Sequence, residues 1–567
     1  MARSRPTSSA PARSGPSWLA RRRIPIACAL LLLHATLALW VARENSVTFD
    51  ESFHVPAGVR ILRHADFATS YAQPPLPKSL YAAAALAAGA REPDARQAGP
   101  GRERFVGYTF MRANADRFTR VYGAARVVAV LMSVLMGIMI WRAAQAWHGP
   151  EAGLVALAIW CVLPESLAHG SVAGVDIPTA ITFFGATLAW IAFVRSGSWG
   201  RWGIAAAWVA AAFLSRFSAV QLGPMLLAIT AFAVWRGQAA VARRAWIGLL
   251  LLPLVAWIAL DAGYLFQVSM RPWARWSFQS GAFQALQNAL PWLRLPLPDA
   301  WIEGVDYLSL LAQPGAKQSY LLGHIRDRNA LQYFPVAIAV KWPLGLLALG
   351  ALAKWTRWRE RRARPWTLEE VAMLVAMTVV LLSCMLSNLD YGVRYALPLL
   401  PFLCVWIAGL LAGQGIRRLG LVLALVAAIA LESARALPYP LAFFNTLAGG
   451  PGRGDRIVND SNVDWGQGLV ALRRDMQRLG IRKVHLAYHG TVDPAIYGID
   501  YEIFTGGDLG PESDWLAVSS YFFVGLPARL TTFRGMSEQP IAYDLSVLRN
   551  RDPAARPAGC MYLFRIR

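Results

Sequence analysis

A few short polar stretches interrupt an otherwise apolar chain, and any chemistry must come from them. "SVTFDESFHVPAGV" at 46–59 sets two adjacent carboxylates, Asp50 and Glu51, just ahead of His54, and Gln73 follows in "YAQPPLPKSL" at 71–80. "AGVDIPTA" at 173–180 carries a lone acid, Asp176. "YLLGHIRDRNALQYFPVAIAVKWPLGLL" at 320–347 places His324, Arg326, Asp327 and Arg328 ahead of Lys341, and "SNLDYGVRYALPLLPFL" at 387–403 puts Arg394 at the head of an apolar run. Each has a plain structural use. Asp50 and Asp176 could cap helices, the second with Pro178 in the first turn, and an Arg at a membrane edge often snorkels. Polar groups gathered beside a bilayer are nonetheless costly unless they bind something.

The elements that must position these residues are membrane helices. Of 567 residues 56% are hydrophobic and 16% charged, with 23 tryptophans and a mean hydropathy of +0.37, which marks an integral membrane protein. The net charge of +22 comes from arginines in short loops with no nucleic-acid-binding motif to organise them, so topology and anionic headgroups account for it. Cys28, Cys161, Cys384, Cys404 and Cys560 are widely spaced, which supports neither a disulfide framework nor a zinc knuckle. The basic start before "IPIACALLLLHATLALWVA" leads into an uncleaved first span.

With roughly 20 apolar residues per crossing, the chain shows about eleven candidate spans, near 24–42, 121–141, 152–170, 178–194, 202–215, 217–235, 245–265, 331–352, 369–387, 395–413 and 419–436. Placing the N-terminus inside leaves the basic segments at 21–23, 195–201, 236–244, 354–364 and 417–418 on one side, as the positive-inside rule asks. The expected organisation is a cytoplasmic tail at 1–23, a transmembrane domain at 24–436 with outer loops at 43–120 and 266–330, and an extracytoplasmic domain at 437–567. Strand-like runs such as "KVHLAYHG" and "DWLAVSS" beside the amphipathic "VALRRDMQRLG" predict a small α/β fold for that last domain. All the polar stretches then lie on the outer side.

Together "TFDE", "QPPLPK", the lone acid Asp176, "YFPVAIAVKWPLGLL", "YGVRYALPLLP" and "YPLAFFNTLAGGPGRGDRIVNDSNVDWGQGL" resemble the membrane glycosyltransferases of family 39, relatives of the protein O-mannosyltransferases and lipid A aminoarabinose transferases. The resemblance runs from about residue 24 to 480. It implies a mainly α, GT-C fold and transfer of a sugar from a polyprenyl-phosphate donor to a glycan, lipid or protein acceptor, at the outer face of a bacterial inner (plasma) membrane. The acid matching Asp50 is then the general base, for which desolvation at the bilayer edge is suited. Glu51 would orient the acceptor or raise the pKa of Asp50. Arg394 becomes the first candidate to grip the donor phosphate, with Lys341, Arg326 and Arg216 behind it. Substrate-binding candidates are His54, Gln73, Asp176, His324, Asp464 and Trp465.

Gln73 stands where many members have His before Pro-Pro, so the resemblance carries no certain cofactor; His54 and His324 remain as side chains that could hold a divalent metal ion. In "DSNVDWGQGL", Asp460, Asn462, Asp464, Trp465 and Gln467 suit sugar recognition or, equally, the capped start of the following helix. A lipid or glycolipid flippase would instead want charges near the bilayer midplane and paired broken helices, and no inverted repeat is visible. A scaffold binding a partner through the outer domain leaves the 46–59 stretch unexplained.

Overall fold

The structure, a computed structural model, describes residues 21–93, 102–327, 330–412, 416–504, 513–526, 529–532, 537–540, 545, 548 and 550–566. Arg328 and most of the N-terminal tail lie outside them. The chain is mainly α. Helices α1 (Arg23–Glu44), α2 (Glu51–His64), α3 (Pro75–Ala87) and α4 (Arg102–Ala113) lead to the long α5 (Phe118–His148), followed by α6 (Pro150–Val162), α7 (Pro164–Gly170) and α8 (Asp176–Ser196). Next come α9 (Trp199–Phe213), α10 (Leu222–Trp235) and α11 (Ala242–Gly263), then two shorter helices, α12 (Gly281–Ala289) and α13 (Asp299–Leu311). The bundle closes with α14 (Tyr333–Lys341), α15 (Leu344–Glu360), α16 (Leu368–Leu386), α17 (Leu399–Ala408) and α18 (Ile416–Ala434).

Among the described residues, six helices are long and apolar enough to cross a membrane, eight if each of two bent pairs counts as one span. The number eleven expected from the sequence is therefore not confirmed. Pro164 bends the run at 152–170 by 62°, and Trp342-Pro343 turns the run at 331–352 through 114°, because proline cannot continue the ladder of helical hydrogen bonds. The runs at 202–215 and 395–413 give helices of only 15 and 10 residues. α8 lies at the centre, 89% of its apolar window buried, whereas α1 and α11 turn Leu32 and Leu250 outward as lipid-facing helices do. Asp176 thus sits at the end of the central helix.

The C-terminal region holds a four-stranded sheet in the order β4-β3-β5-β8, built from β3 (Lys483–Ala487), β4 (Asp500–Ile503), β5 (Trp515–Ser519) and β8 (Met561–Arg565). β3 runs parallel to β4 and β5, while β8 is antiparallel to β5. Helix α19 (Leu469–Arg478) precedes β3 and the short α20 (Ser520–Phe523) follows β5. The antiparallel hairpin β1 (Ser319–Leu321) and β2 (His324–Arg326) joins this region through a bridge from Leu321 to Val458; β6 (Arg529–Thr532) and β7 (Ser537–Pro540) form a separate pair. All five cysteines are free thiols.

A buried ion pair fixes the corner between α1 and α2. Arg126 donates from Nε and Nη2 to the two oxygens of Glu51, at 2.8 and 2.7 Å, and also to the carbonyls of Ala42, Asn45 and Ser46 that end α1. Glu51 is fully buried and accepts further from the Thr48 amide and hydroxyl and from the Ala173 amide. Burial opposes its charge, yet Arg126 and these donors hold its carboxyl below the ordinary range. Gly58 lets α2 and α3 lie close, since a Cβ there would sit 2.1 Å from the Lys78 carbonyl oxygen. Removing one partner of a buried pair strands the other's charge, at about 3–5 kcal/mol. Arg126→Met alone should lower the melting temperature in detergent sharply, and Glu51→Gln with Arg126→Met by less than the summed single losses. Single losses within about 0.5 kcal/mol of wild type would refute the role.

Candidate active site

Asp50 occupies the N-cap position of α2 but makes no side-chain capping bond. Its carboxylate instead accepts from Arg394 Nη1 at 2.8 Å. Nη1 also lies 3.6 Å from Asp176 Oδ2, and Asp176 Oδ1 accepts from Arg216 Nη1 at 2.6 Å. Four charges thus alternate, Asp50, Arg394, Asp176, Arg216, across segments more than 300 residues apart in sequence. Arg394 is buried; burial opposes its charge, but Asp50 and Asp176 outweigh that and raise its pKa further. The guanidinium stacks over Trp465 at 4.3 Å, and Arg216 covers the Tyr395 ring at the same distance. Gly392 makes this approach feasible: its φ is +116°, and a Cβ would meet Ser461 Oγ at 2.6 Å. Behind Asp176, His169 reaches Glu165 at 3.5 Å.

This array opens into a cavity of about 340 Å³ between the helical bundle and the C-terminal region, lined by Asp50, Arg394 and Trp465 together with Lys317, Asp460 and Tyr521. Lys317 donates to Asp460 at 2.6 Å and lies 3.3 Å over Tyr391. The far wall is aromatic. His489 and Tyr521, just past the carboxyl ends of β3 and β5, stack at 3.9 Å, and burial pulls His489 down to about 4, leaving a neutral ring. Carboxyl ends of parallel strands are a common place for ligands. Cations and carboxylates on one wall with aromatic rings on the other suit a molecule that is anionic at one end and rich in hydroxyls and C–H faces at the other.

Other expected site residues are placed elsewhere. Glu51 has no oxygen left to face a substrate, since Arg126 and three other donors occupy it. Lys341, on α14, donates to the Leu441 and Asn462 carbonyls, each at 2.7 Å, so it fastens the C-terminal segment and lies outside the cavity lining. His324 and Arg326 lie on the β1–β2 hairpin outside the cavity lining, His324 exposed to solvent. His54 is buried with Nδ1 3.3 Å from the Ala173 carbonyl, whereas His324 is exposed on its hairpin. Among the described residues no three His, Cys, Asp or Glu gather as metal ligands. Gln73 is half-buried in the turn before α3.

The 460–469 stretch neither caps α19, which starts from Gly468 without a side-chain cap, nor points all its polar groups at the cavity. Asn462 binds the Val393 amide and the Tyr333 hydroxyl, and Gln467 binds the Trp465 amide and the Val463 carbonyl, so both hold the loop's shape. Only Asp460 and Trp465 of its polar and aromatic side chains line the cavity. Lys317, His489 and Tyr521 line the cavity without any signal in the sequence, and Arg126, which stays outside it, gave none for its support of Glu51. The sequence reading also missed Lys78, which is buried, bonded to Ser70 at 2.7 Å and lowered to about 8 by desolvation.

Residues 110–260, well under half of the chain, match the family model of dolichyl-phosphate-mannose-protein mannosyltransferases, and over that segment the chain is similar to them. Among solved structures it is similar to ArnT from Cupriavidus metallidurans bound to undecaprenyl phosphate, at 13% identity and a TM-score of 0.45, with 73% of this chain and 65% of that one covered. Apo ArnT matches at 13% identity and a TM-score of 0.38, covering 73% and 64%. An Archaeoglobus fulgidus oligosaccharyltransferase tethered with an acceptor peptide matches at 13% and 0.42, covering 73% and 55%. The chain therefore spans less than two thirds of the length of each. No curated protein sequence matches it.

Asp464 sits behind Trp465, fully buried and outside the cavity lining. Burial pushes its carboxyl up to about 7, against the Gly466 amide that donates to it. A folded-state pKa raised above the unfolded value contributes stability that is full below the ordinary 3.8 and lost as pH rises through about 7. The wild-type melting temperature should therefore fall further between pH 5 and 8 than that of Asp464→Asn. Parallel curves for the two proteins would contradict this.

Proposed function

We propose that the protein is a lipid-carrier-dependent glycosyltransferase, moving a hexosyl or pentosyl group from a polyprenyl-phosphate donor to an acceptor hydroxyl at the outer face of the membrane. The observation that carries this reading is the Asp50–Arg394–Asp176–Arg216 array at the mouth of a cavity walled by cations and aromatic rings. The relationship at residues 110–260 to enzymes that use a dolichyl-phosphate sugar supports it. The N-terminus is then cytoplasmic, the C-terminal region extracytoplasmic, and the acceptor a glycan, a lipid or a protein.

In this reading Arg394 carries two duties. It neutralises Asp50 while the cavity is empty, and an incoming phosphate, with its greater charge and bidentate geometry, competes for the guanidinium. Drawing Arg394 toward the phosphate releases the Asp50 carboxylate to take the proton from the acceptor hydroxyl. The acceptor oxygen bonds to the anomeric carbon as the bond from that carbon to the phosphate oxygen breaks, and the leaving phosphate keeps the electron pair. With Asp50 as the base, and with Asp460 engaged by Lys317 and not acting as a nucleophile, the displacement is direct, hence inverting. Asp176 and Arg216 fix Arg394 from behind, so the cation costs little to reorganise as charge builds on the leaving group.

The test supplies a radiolabelled polyprenyl-phosphate sugar and candidate acceptors to the protein in detergent. Asp50→Asn should lower turnover by about 10²–10⁴-fold, the span of general base catalysis. Arg394→Lys, which keeps charge but loses the fork, should chiefly raise the donor KM. Equal turnover for Asp50→Asn removes Asp50 from the base role, and no transfer from any donor removes the whole reading.

A further inference from the structure

A second polar cavity, of about 50 Å³, lies at the opposite ends of the helices. It is lined by His148 at the end of α5, Arg357 and Glu360 at the end of α15, Arg364 beyond it, Glu370 in the first turn of α16 and Arg418 in the first turn of α18. By the positive-inside pattern of the sequence this is the cytoplasmic surface, beneath the basic run "KWTRWRERRAR". Nothing in the proposed transfer uses it.

Its chemistry follows from how Arg357 is held. Nε and Nη2 donate to the two oxygens of Glu370 at 2.9 and 3.1 Å, and Nη2 also to the carbonyls of Arg364 and Pro365. The guanidinium lies 4.0 Å over Trp366. Glu370 is saturated, because Arg364 binds it too and it accepts from the Thr367 amide in a capping box that starts α16. Arg357 is only 5% exposed, yet its Nη1 has no hydrogen-bond partner among the described residues, and neither does the buried Nε2 of His148. A buried guanidinium with an idle pair of N–H donors is unfavourable unless an acceptor fills the space. Arg357, Arg364 and Arg418 face Glu360 and Glu370, so the lining carries one net positive charge before any contribution from His148. The cavity exceeds several times the roughly 10–15 Å³ that one water needs, which suits a single tetrahedral oxyanion and excludes a sugar.

We infer that this cavity is a cytoplasmic-face binding site for a phosphate group, taken either from the headgroup of an anionic phospholipid in the inner leaflet or from free phosphate. Arg357 Nη1, Arg418 and His148 supply the contacts, while Glu370 fixes the orientation of Arg357. Occupancy would pin the inner ends of α5, α15, α16 and α18 together.

The test uses the full chain in phosphate-free detergent and in nanodiscs of phosphatidylcholine with and without phosphatidylglycerol, reading the melting temperature. Inorganic phosphate raising it in detergent identifies free phosphate as a ligand, and a rise only with phosphatidylglycerol identifies the headgroup. Arg418→Gln and His148→Gln avoid the Glu370 clamp, so they should fold, and each should weaken the response about tenfold in apparent affinity. Arg394→Gln, in the outer cavity, should leave the response intact. The inference fails if neither phosphate source shifts the wild type, if both inner variants respond as wild type does, or if Arg394→Gln alone abolishes the response.

Discussion

The arrangement depends on the buried pair of Glu51 and Arg126. One guanidinium closes the end of α1 by binding the carbonyls of Ala42 and of Asn45 and Ser46 just beyond it, and holds the carboxylate of the first residue of α2, which in turn reaches the amide of Ala173. Those contacts set the relative positions of two turns, one carrying Asp50 and the other Asp176. Each ion would be expensive to bury alone, and here every polar atom of Glu51 and most donors of Arg126 are engaged. Two acids that share the attention of Arg394 are thus held in register by an acid and a base that never meet the cavity.

A second set of constraints ties the C-terminal region to the same corner. The Ser46 and Phe49 amides donate to the Gln467 and Trp465 carbonyls, the Ser46 hydroxyl to the Gly466 carbonyl, and the Val47 amide to the Tyr497 hydroxyl. Lys341 reaches the same loop from α14 and Asn462 reaches the segment before Arg394. Trp465 can therefore serve as a plate under Arg394. The wall facing Asp50 has little freedom of its own.

The sequence made legible that a polar site gathers at one surface of a helical membrane protein, and it marked Asp50, Asp176, Arg216 and Arg394, because each is a charge at the end of an apolar run. It could not separate them from Glu51 and Lys341, which are the same residue types at the same kind of boundary but spend their bonding on carbonyls and partners inside the protein. Arg126 lies within an apolar run and gave no sign of being the keystone. Lys317, His489 and Tyr521 carry no spacing that points to a ligand; they matter only because the sheet and the outer loop bring them to one cavity. Hydropathy sums across Pro164 and Pro343 while the backbone bends there, so two of the expected runs are broken helices.

The backbone bonds between the stretch at 46–49 and the loop at 465–467 also bear on how the protein is made. Asp50 leaves the ribosome early, at the first outer corner, but its companion wall is synthesised more than 400 residues later. Until that segment has folded against it, the first corner lacks the carbonyl partners for Ser46 and Phe49, and the cavity lacks a side. A chain with all its apolar helices in place but without the C-terminal region would still lack one wall of the cavity.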